Sequence, residues 1–488
     1  MIVSIIALYL VAVLAIGLAS HRLFRGTGED FFLATRTIGP FLLLMSLFGT
    51  HMTAFSLLGA SAEAYRHGIG VFALMASSSA IVAPTVFLFV GVRVWELGKR
   101  NGFITQVQFF RDRFESDVLG LLLFFVVILL LIPYLLIGIK GGGLTLDSIT
   151  GGTVPEWVGS LAVCLVVLCY VTYGGLRGTA WANTFQTLLF MTLGAVAFIW
   201  ITRELGGMGP ILAQVGADRP DLLVRGEHIP PAKLLTYTCI PLSVGTFPHI
   251  FMHWLTARRA ETFRVAIVAY PLCVAVVWLP AVLLGIAGAA AIPGLEGPAA
   301  SSVLVQLIDR YAPPALAGLL GAGVFAAIMS SLDSQVLALG TIFTQDIVRH
   351  YRFHDRMSER QQVLVGRVFV VSILAATYSI SLAAPSSIFK FGIWSFTGFA
   401  ALFPLVVAAL FWRRSTGAAA GATALTVAAL WLFFFARGWS VPNYSVAGSG
   451  IMPVAVILVA ASVVMVSVSL VTRPPSAATI ERFFGDRR

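Results

Sequence analysis

Apolar stretches of about 20 residues, each long enough to cross a bilayer as a helix, recur from one end of this 488-residue chain to the other. Lipid admits only backbones that satisfy their own hydrogen bonds, and runs of this length do so as α-helices. Charged residues are 11% of the chain, against about 25% in a soluble domain. The reading is an all-α polytopic membrane protein, one transmembrane domain over residues 1–488 with no sizeable soluble part. Runs and breakers predict thirteen spans, near 2–20, 40–60, 69–92, 117–139, 157–172, 180–202, 235–255, 265–291, 315–347, 365–383, 391–411, 417–436 and 450–472.

A formal net charge of +10 could point to nucleic acid, but its placement points to a membrane. With the N-terminus outside, 23 of the 32 Lys and Arg fall in the segments that alternate to the inside. These include Arg22, Arg25 and Arg36, then Arg93 to Arg113, then Arg349 to Arg367 with Arg356 between, and finally Arg473 to Arg488. Cytoplasmic loops are enriched in Lys and Arg, so the expected topology is N-out, C-in. The first apolar run lacks a basic leader and an evident cleavage site, so it reads as a retained span. Cys164, Cys169, Cys239 and Cys273 all lie in apolar runs without metal-ligand spacing and read as small core residues. There is no Walker lysine motif, which argues against transport driven by the chain's own ATP hydrolysis. An intramembrane enzyme would need paired acids, an HExxH motif or a Ser–His–Asp set inside the spans; a lone aspartate does not supply one.

That aspartate is Asp333, the one acid among 22 Asp and Glu placed deep in a span. Ser330, Ser331 and Ser334 surround it, and positions i, i+3 and i+4 share a helix face. A buried charge in a membrane faces protein or water and marks a functional site. The oxygens suit a hard monovalent cation. Two spans carry breakers at mid-depth. The first, Phe48-Gly49-Thr50-His51-Met52-Thr53, has a glycine and polar groups that a lipid-facing helix would not need. The second, CIPLSVGTFPHIFMHW, packs Pro241, Gly245 and Pro248 into eight residues. In secondary transporters, unwound segments present carbonyls to ions and half-helix ends to substrates. A Gly/Thr packing seam is the other reading of the first segment. Five spans separate the two, which suits two inverted five-helix repeats, spans 2–6 and 7–11.

Five stretches together resemble the sodium:solute symporter family: EDFFLATRTIGP (29–40), YVTYGGLRGTAWANTFQTLLF (170–190), FPHIFMHWLTARRAETFR (247–264), FAAIMSSLDSQVLALGTIFTQDIV (325–348) and FWRRSTGAAAG (411–421). The resemblance covers almost the whole chain in family order. It implies the inverted-repeat leucine-transporter fold, a multi-pass place in the plasma (inner) membrane, and solute uptake coupled to Na⁺. It divides the chain into an extra N-terminal helix and loop (1–39), a first repeat (40–202), an extracellular loop (203–234), a second repeat (235–411), two further helices (412–472) and a cytoplasmic tail (473–488). Carried over by position, the sodium ligands are the carbonyls of Gly49, Met52 and Ala327 and the hydroxyls of Ser330 and Ser331. Five oxygens without a fixed charge suit a sodium ion. The alternative is that the two serines bond back to carbonyls one turn earlier. Many members have an aspartate where this chain has Asn183, whereas Asp333 stands where some have serine. The carboxylate has therefore moved across the site, and Asp333, Ser334, Ser330 and Asn183 are expected to form a second cation or proton site. A purely structural Asp333 is the other reading.

Position matching puts His51, Thr53 and Ser56 in the substrate pocket, with Trp394, Phe396 and Phe399 as an aromatic gate. A histidine beside a half-helix N-terminus can donate to a carboxylate. The PHIFMHW segment looks most like members that carry small organic acids, which suggests an organic anion such as a monocarboxylate. His249 and His253 stand four apart, but no further ligand lies nearby to complete a metal site. Lys140 attracts anions or snorkels. Implied partners are a small solute, sodium and the bilayer, with no nucleic acid and no obligate protein partner. Rival readings are a proton-coupled symporter using Asp333 and His51, and a transporter-like membrane sensor.

Overall fold

The computed structural model describes residues 1–20, 36–227, 229–352, 358–384 and 387–485. Arg22, Arg25, Arg356, Arg487 and Arg488 of the charge pattern, and most of the 29–40 stretch, lie outside the described residues. Within them the chain is helical, with an isolated parallel bridge between Ile38 and Ala257.

The helices used below are α1 (Ile2–Ser20), α2 (Pro40–His51), α3 (Phe55–His67), α4 (Phe72–Asn101), α5 (Asp117–Ile149), α6 (Glu156–Glu204), α7 (Pro231–Gly245), α8 (Pro248–Leu255), α9 (Ala260–Ala291), α10 (Pro314–Arg349), α11 (Leu364–Ala383), α12 (Ile388–Phe411), α13 (Gly417–Gly438) and α14 (Pro453–Val471). Among the described residues, nine helices are long and apolar enough to cross a membrane, and two bent pairs qualify as single broken spans. These are α2 with α3, bent by 60°, and α7 with α8, bent by 50°. Apolar segments Ile2–Ile16 and Glu156–Cys169 are shorter.

α6 runs helically over 49 residues where two spans were expected. Straight, it would separate Val163 from Leu193 by about 45 Å. Yet Val163 and Phe325 both crowd Gly142, while Leu193 crowds Gly323. The chain therefore doubles back inside α6, as two spans require.

α10 is the central post: 83% of its apolar window is buried, and α1, α5, α6 and α8 pack around it. Small residues set the spacing. A methyl group on Gly141 would come within 2.8 Å of Ala54, and one on Gly138 within 3.3 Å of Leu332. Lys140 neither snorkels nor stands open, because its ammonium meets Glu156 Oε1 at 2.7 Å. Of the cysteines, Cys164 and Cys273 are buried as expected; Cys239 is half-buried, and Cys169 faces outward from an apolar helix.

At one end of the molecule the short helix Ala477–Phe484 folds back against the chain. Phe483 is buried against Phe103 and Phe109. Arg100, on α4, donates to the carbonyls of Glu481 and Gly485, and Arg482 returns a bond to Asp112. Arg113, wholly buried, donates to the carbonyls of Ala409 and Trp412 and to the Ser415 hydroxyl.

Candidate cation and solute site

α2 starts on Pro40, whose fixed φ suits a first turn, and ends at His51. Met52 is extended (φ −82°, ψ 116°), and the Thr53 hydroxyl accepts from the Phe55 N–H to start α3. The break is thus at Met52–Thr53, one turn later than the glycine suggested. Gly49 remains helical and serves packing: a methyl group there would lie 2.0 Å from Thr187 Oγ1 and 3.2 Å from the Asn183 carbonyl. No larger residue lets α2 press this closely on α6.

The last four carbonyls of a helix lack internal donors. Phe48 O receives the Met52 N–H at 2.8 Å. Gly49 O receives the Ser330 hydroxyl at 2.8 Å, and the same Oγ lies 3.2 Å from Ala327 O. A hydroxyl has one hydrogen and two lone pairs, so Ser330 can turn from donor to ligand when a cation takes the hydrogen's place. Gly49, Ala327 and Ser330 are therefore gathered as expected. Ser331 instead bonds back to Ile328 O at 3.1 Å, while Met52 lies in the break with its sulfur accepting from Ser56 Oγ.

Beside this cluster runs a second polar seam. Asn183 Nδ2 donates to Thr50 Oγ1 at 2.7 Å and to Ser334 Oγ at 2.9 Å. Ser334 in turn donates to Asp333 Oδ1 at 3.1 Å. His253 Nε2 approaches Thr50 Oγ1 at 3.3 Å and Ser334 Oγ at 3.4 Å, with its Nδ1 on Ser46 Oγ at 2.8 Å. Every one of these side chains is buried. Asn183 and Asp333 thus meet through Ser334, while Ser46, Thr50 and His253 are participants that sequence reasoning missed. Thr50 sat inside a flagged segment; His253 becomes visible only once α8 is known to lean on α2. Glu63 and Asp346 are buried acids too, but each has ion partners at a helix end, Arg66 and His67 for one, Arg111 for the other.

The expected solute residues separate. His51 pairs through Nδ1 with the Tyr270 hydroxyl. His51 and Ser56 line a small cavity with Tyr237, Trp278 and Phe396, whose free space of about 20 Å³ holds little more than a water. Trp394 is elsewhere, packed on Trp431, Phe435 and Tyr444 at the wall of a larger cavity. Phe396 and Phe399 do meet Phe247 edge-on, next to His51. Against that ring stand His249 and Tyr134, both fully buried, with ring centroids 5.4 Å apart. Both His249 nitrogens and the Tyr134 hydroxyl have no hydrogen-bond partner among the described residues. An orphaned buried polar group costs about 1–3 kcal/mol, so three together favour an incoming polar ligand.

A family model described as the sodium:solute symporter family matches residues 31–426. The chain belongs to that family. This symporter is 24% identical to the osmoregulated proline transporter OpuE of Bacillus subtilis (strain 168), over 98% of this chain and 96% of that one. It is 25% identical to the sodium/pantothenate symporter of Escherichia coli (strain K12), over 83% and 85%. In fold it resembles a Na⁺-coupled sialic acid symporter captured in a substrate-bound outward-open state, with TM-score 0.78, 17% identity and coverage of 97% and 98%. Sodium is the coupling ion, small-solute transport the activity, and the plasma membrane the location. Family membership speaks against an enzyme.

Proposed function

We propose that this symporter imports a small organic anion, such as a monocarboxylate, with sodium, by alternating access. It does so as a thirteen-span, N-out, C-in protein whose spans 2–6 and 7–11 form inverted repeats. Two bends of 60° and 50°, five spans apart, support the repeat. The observation that carries the reading is the Ser330 hydroxyl joining the Gly49 carbonyl, in the first of the two broken spans, to α10. A cation held there, with Gly49, Met52, Ala327, Ser330 and Ser331 as ligands, ties the broken span to the central post. By linkage it raises solute affinity in the state so tied.

The anion preference rests on side-chain donors alone: His51, which closes α2 at its C-terminal end and not at the half-helix N-terminus expected, and the orphaned His249 and Tyr134 beside it, with Thr53 and Ser56 on the broken span nearby. An anion carried with one sodium moves no net charge, so the membrane potential does no work on it. A second cation, held by Asp333, Ser334 and Asn183, restores about 2.3 kcal/mol per 100 mV. That is roughly a fifty-fold accumulation, since 1.4 kcal/mol is a factor of ten.

A ligand screen by melting temperature, with and without sodium, tests the reading. Carboxylates that stabilise the protein only in sodium support it; stabilisation that ignores sodium but follows pH favours the proton-coupled alternative. Net flux in proteoliposomes separates a carrier from a sensor.

A further inference from the structure

The two ends of the molecule are built differently. At one end a cavity of about 430 Å³ lies among the ends of α3, α7, α12 and α13, and Tyr237 walls both it and the small cavity holding His51 and Ser56. α13 runs from Gly417, which crowds Phe114, to Gly438 on the wall of that wide cavity, so about 30 Å separates the two ends. At the far end the cavity among Gln106, Val107, Phe110 and Thr246, beneath the second break, has only about 10 Å³, the lower limit for one water.

The C-terminal helix Ala477–Phe484 is fixed across this narrow end to four separate pieces of chain. On α4, Arg93 donates to the Phe483 carbonyl at 3.3 Å, and Arg100 to those of Glu481 and Gly485, both at 3.0 Å. Arg482 donates to Asn101 Oδ1 at 2.9 Å and to Asp112 Oδ2, on the short helix Gln106–Arg113, at 3.0 Å. Glu115, just before α5, accepts from the Ser476 N–H at 3.2 Å and from the Thr479 hydroxyl. Arg413, in the turn from α12 to α13, lies over the Phe484 ring at 5.8 Å. Beneath these polar ties the Phe483 ring is buried 5.8 Å from Phe109, which in turn lies 5.6 Å from Phe251 of α8. α8 carries His249 and His253 on the same eight residues. The half-span that lines the solute and cation sites is therefore stacked, ring on ring, against the tail. α8 cannot leave the Gln106–Arg113 helix without parting that stack, and a contact made in one state alone shifts the population toward that state.

We propose that the C-terminal helix is a bolt on the cytoplasmic exit. Docked, it clamps the Gln106–Arg113 helix onto α8 and keeps the narrow end shut; released, it lets that end open as the wide end closes. The proposal rests on the alternating-access reading given above and adds to it a point of control. The test reads both ends at once. With the four cysteines replaced by alanine, a single thiol is placed by Val107→Cys on the narrow cavity or by Ile393→Cys on the wide one. The probe is a sulfonated maleimide, applied to the full chain in nanodiscs with and without sodium. Arg482→Glu sets a carboxylate against Asp112. It should raise the labelling rate at position 107 and lower it at position 393, each at least fivefold, and adding Asp112→Arg should reverse both changes. Opposite signs at the two ends are what a helix that merely covers the surface would not produce. Arg482→Gln is milder and gives smaller changes of the same two signs, a readout that stands even if the reversed variant does not fold. Unchanged labelling at position 107 in a folded variant overturns the proposal, and so does a rise at both positions together. The alternating-access reading fails by a different result: with the tail intact, adding sodium alters labelling at neither position.

Discussion

The two broken spans solve one problem with different chemistry. In the first, the free carbonyl of Gly49 is met by the Ser330 hydroxyl at 2.8 Å. In the second, the Thr246 carbonyl is met by Gln106 Nε2 at 2.9 Å, and the Thr246 hydroxyl bonds Ser243 O and Phe399 O. A hydroxyl can exchange its donated hydrogen for a lone pair; an amide NH₂ only donates. The Gly49 carbonyl can therefore be released to a cation, whereas the Thr246 carbonyl is held by an amide that cannot change roles in this way.

The largest effect that would break this contrast is at Gly49. Gly49→Val places methyl groups into Thr187 and the Asn183 backbone, and should cost about 3 kcal/mol, the upper end for overpacking, read as a large loss of melting temperature or of folded protein. Next, Ser330→Ala removes the exchangeable group. Half-saturating sodium for uptake should rise at least tenfold, about 1.4 kcal/mol, beside a loss of about 1–3 kcal/mol in sodium-free stability from the orphaned Gly49 carbonyl. A variant with normal sodium activation would erase the distinction between the breaks. Gln106→Ala probes the second break: orphaning the Thr246 carbonyl should cost about 1–3 kcal/mol in stability while the sodium constant stays put. Asp333→Asn sharpens the role of the second seam. Altered sodium activation or pH profile is expected in flux assays; if both are unchanged, Asp333 is structural.

The smallest effect lies outside both breaks, at Glu115. Burial alone would raise its pKa, but hydroxyls of Ser476 and Thr479, the Ser476 N–H and the Arg113 charge outweigh burial and hold it below the usual carboxylate range. Its contribution to docking the C-terminal helix is thus complete above the ordinary carboxylate pKa and is lost as pH falls through the depressed value. Proteolysis of the tail should accelerate only in that acid window, and Glu115→Gln should flatten the response.

Much of this was legible in the sequence because its signals are local. Proline marked the second break, and Pro248 does open α8. Gly49 drew attention to the right turn for the wrong reason: it answers to Thr187 across the helix interface, and the chain opens three residues later. The serines and Asp333 stood out as polar groups in an apolar run. Thr50, His249 and His253 were noticed without their roles and Tyr134 not at all, because those roles come from which helix faces meet, a long-range fact that no spacing along the sequence contains. The separation of Trp394 from His51 is of the same kind.

Tyr237 bounds two rooms at once. A side chain that walls two spaces ties their shapes together, so a substitution at Tyr237 reshapes both at once.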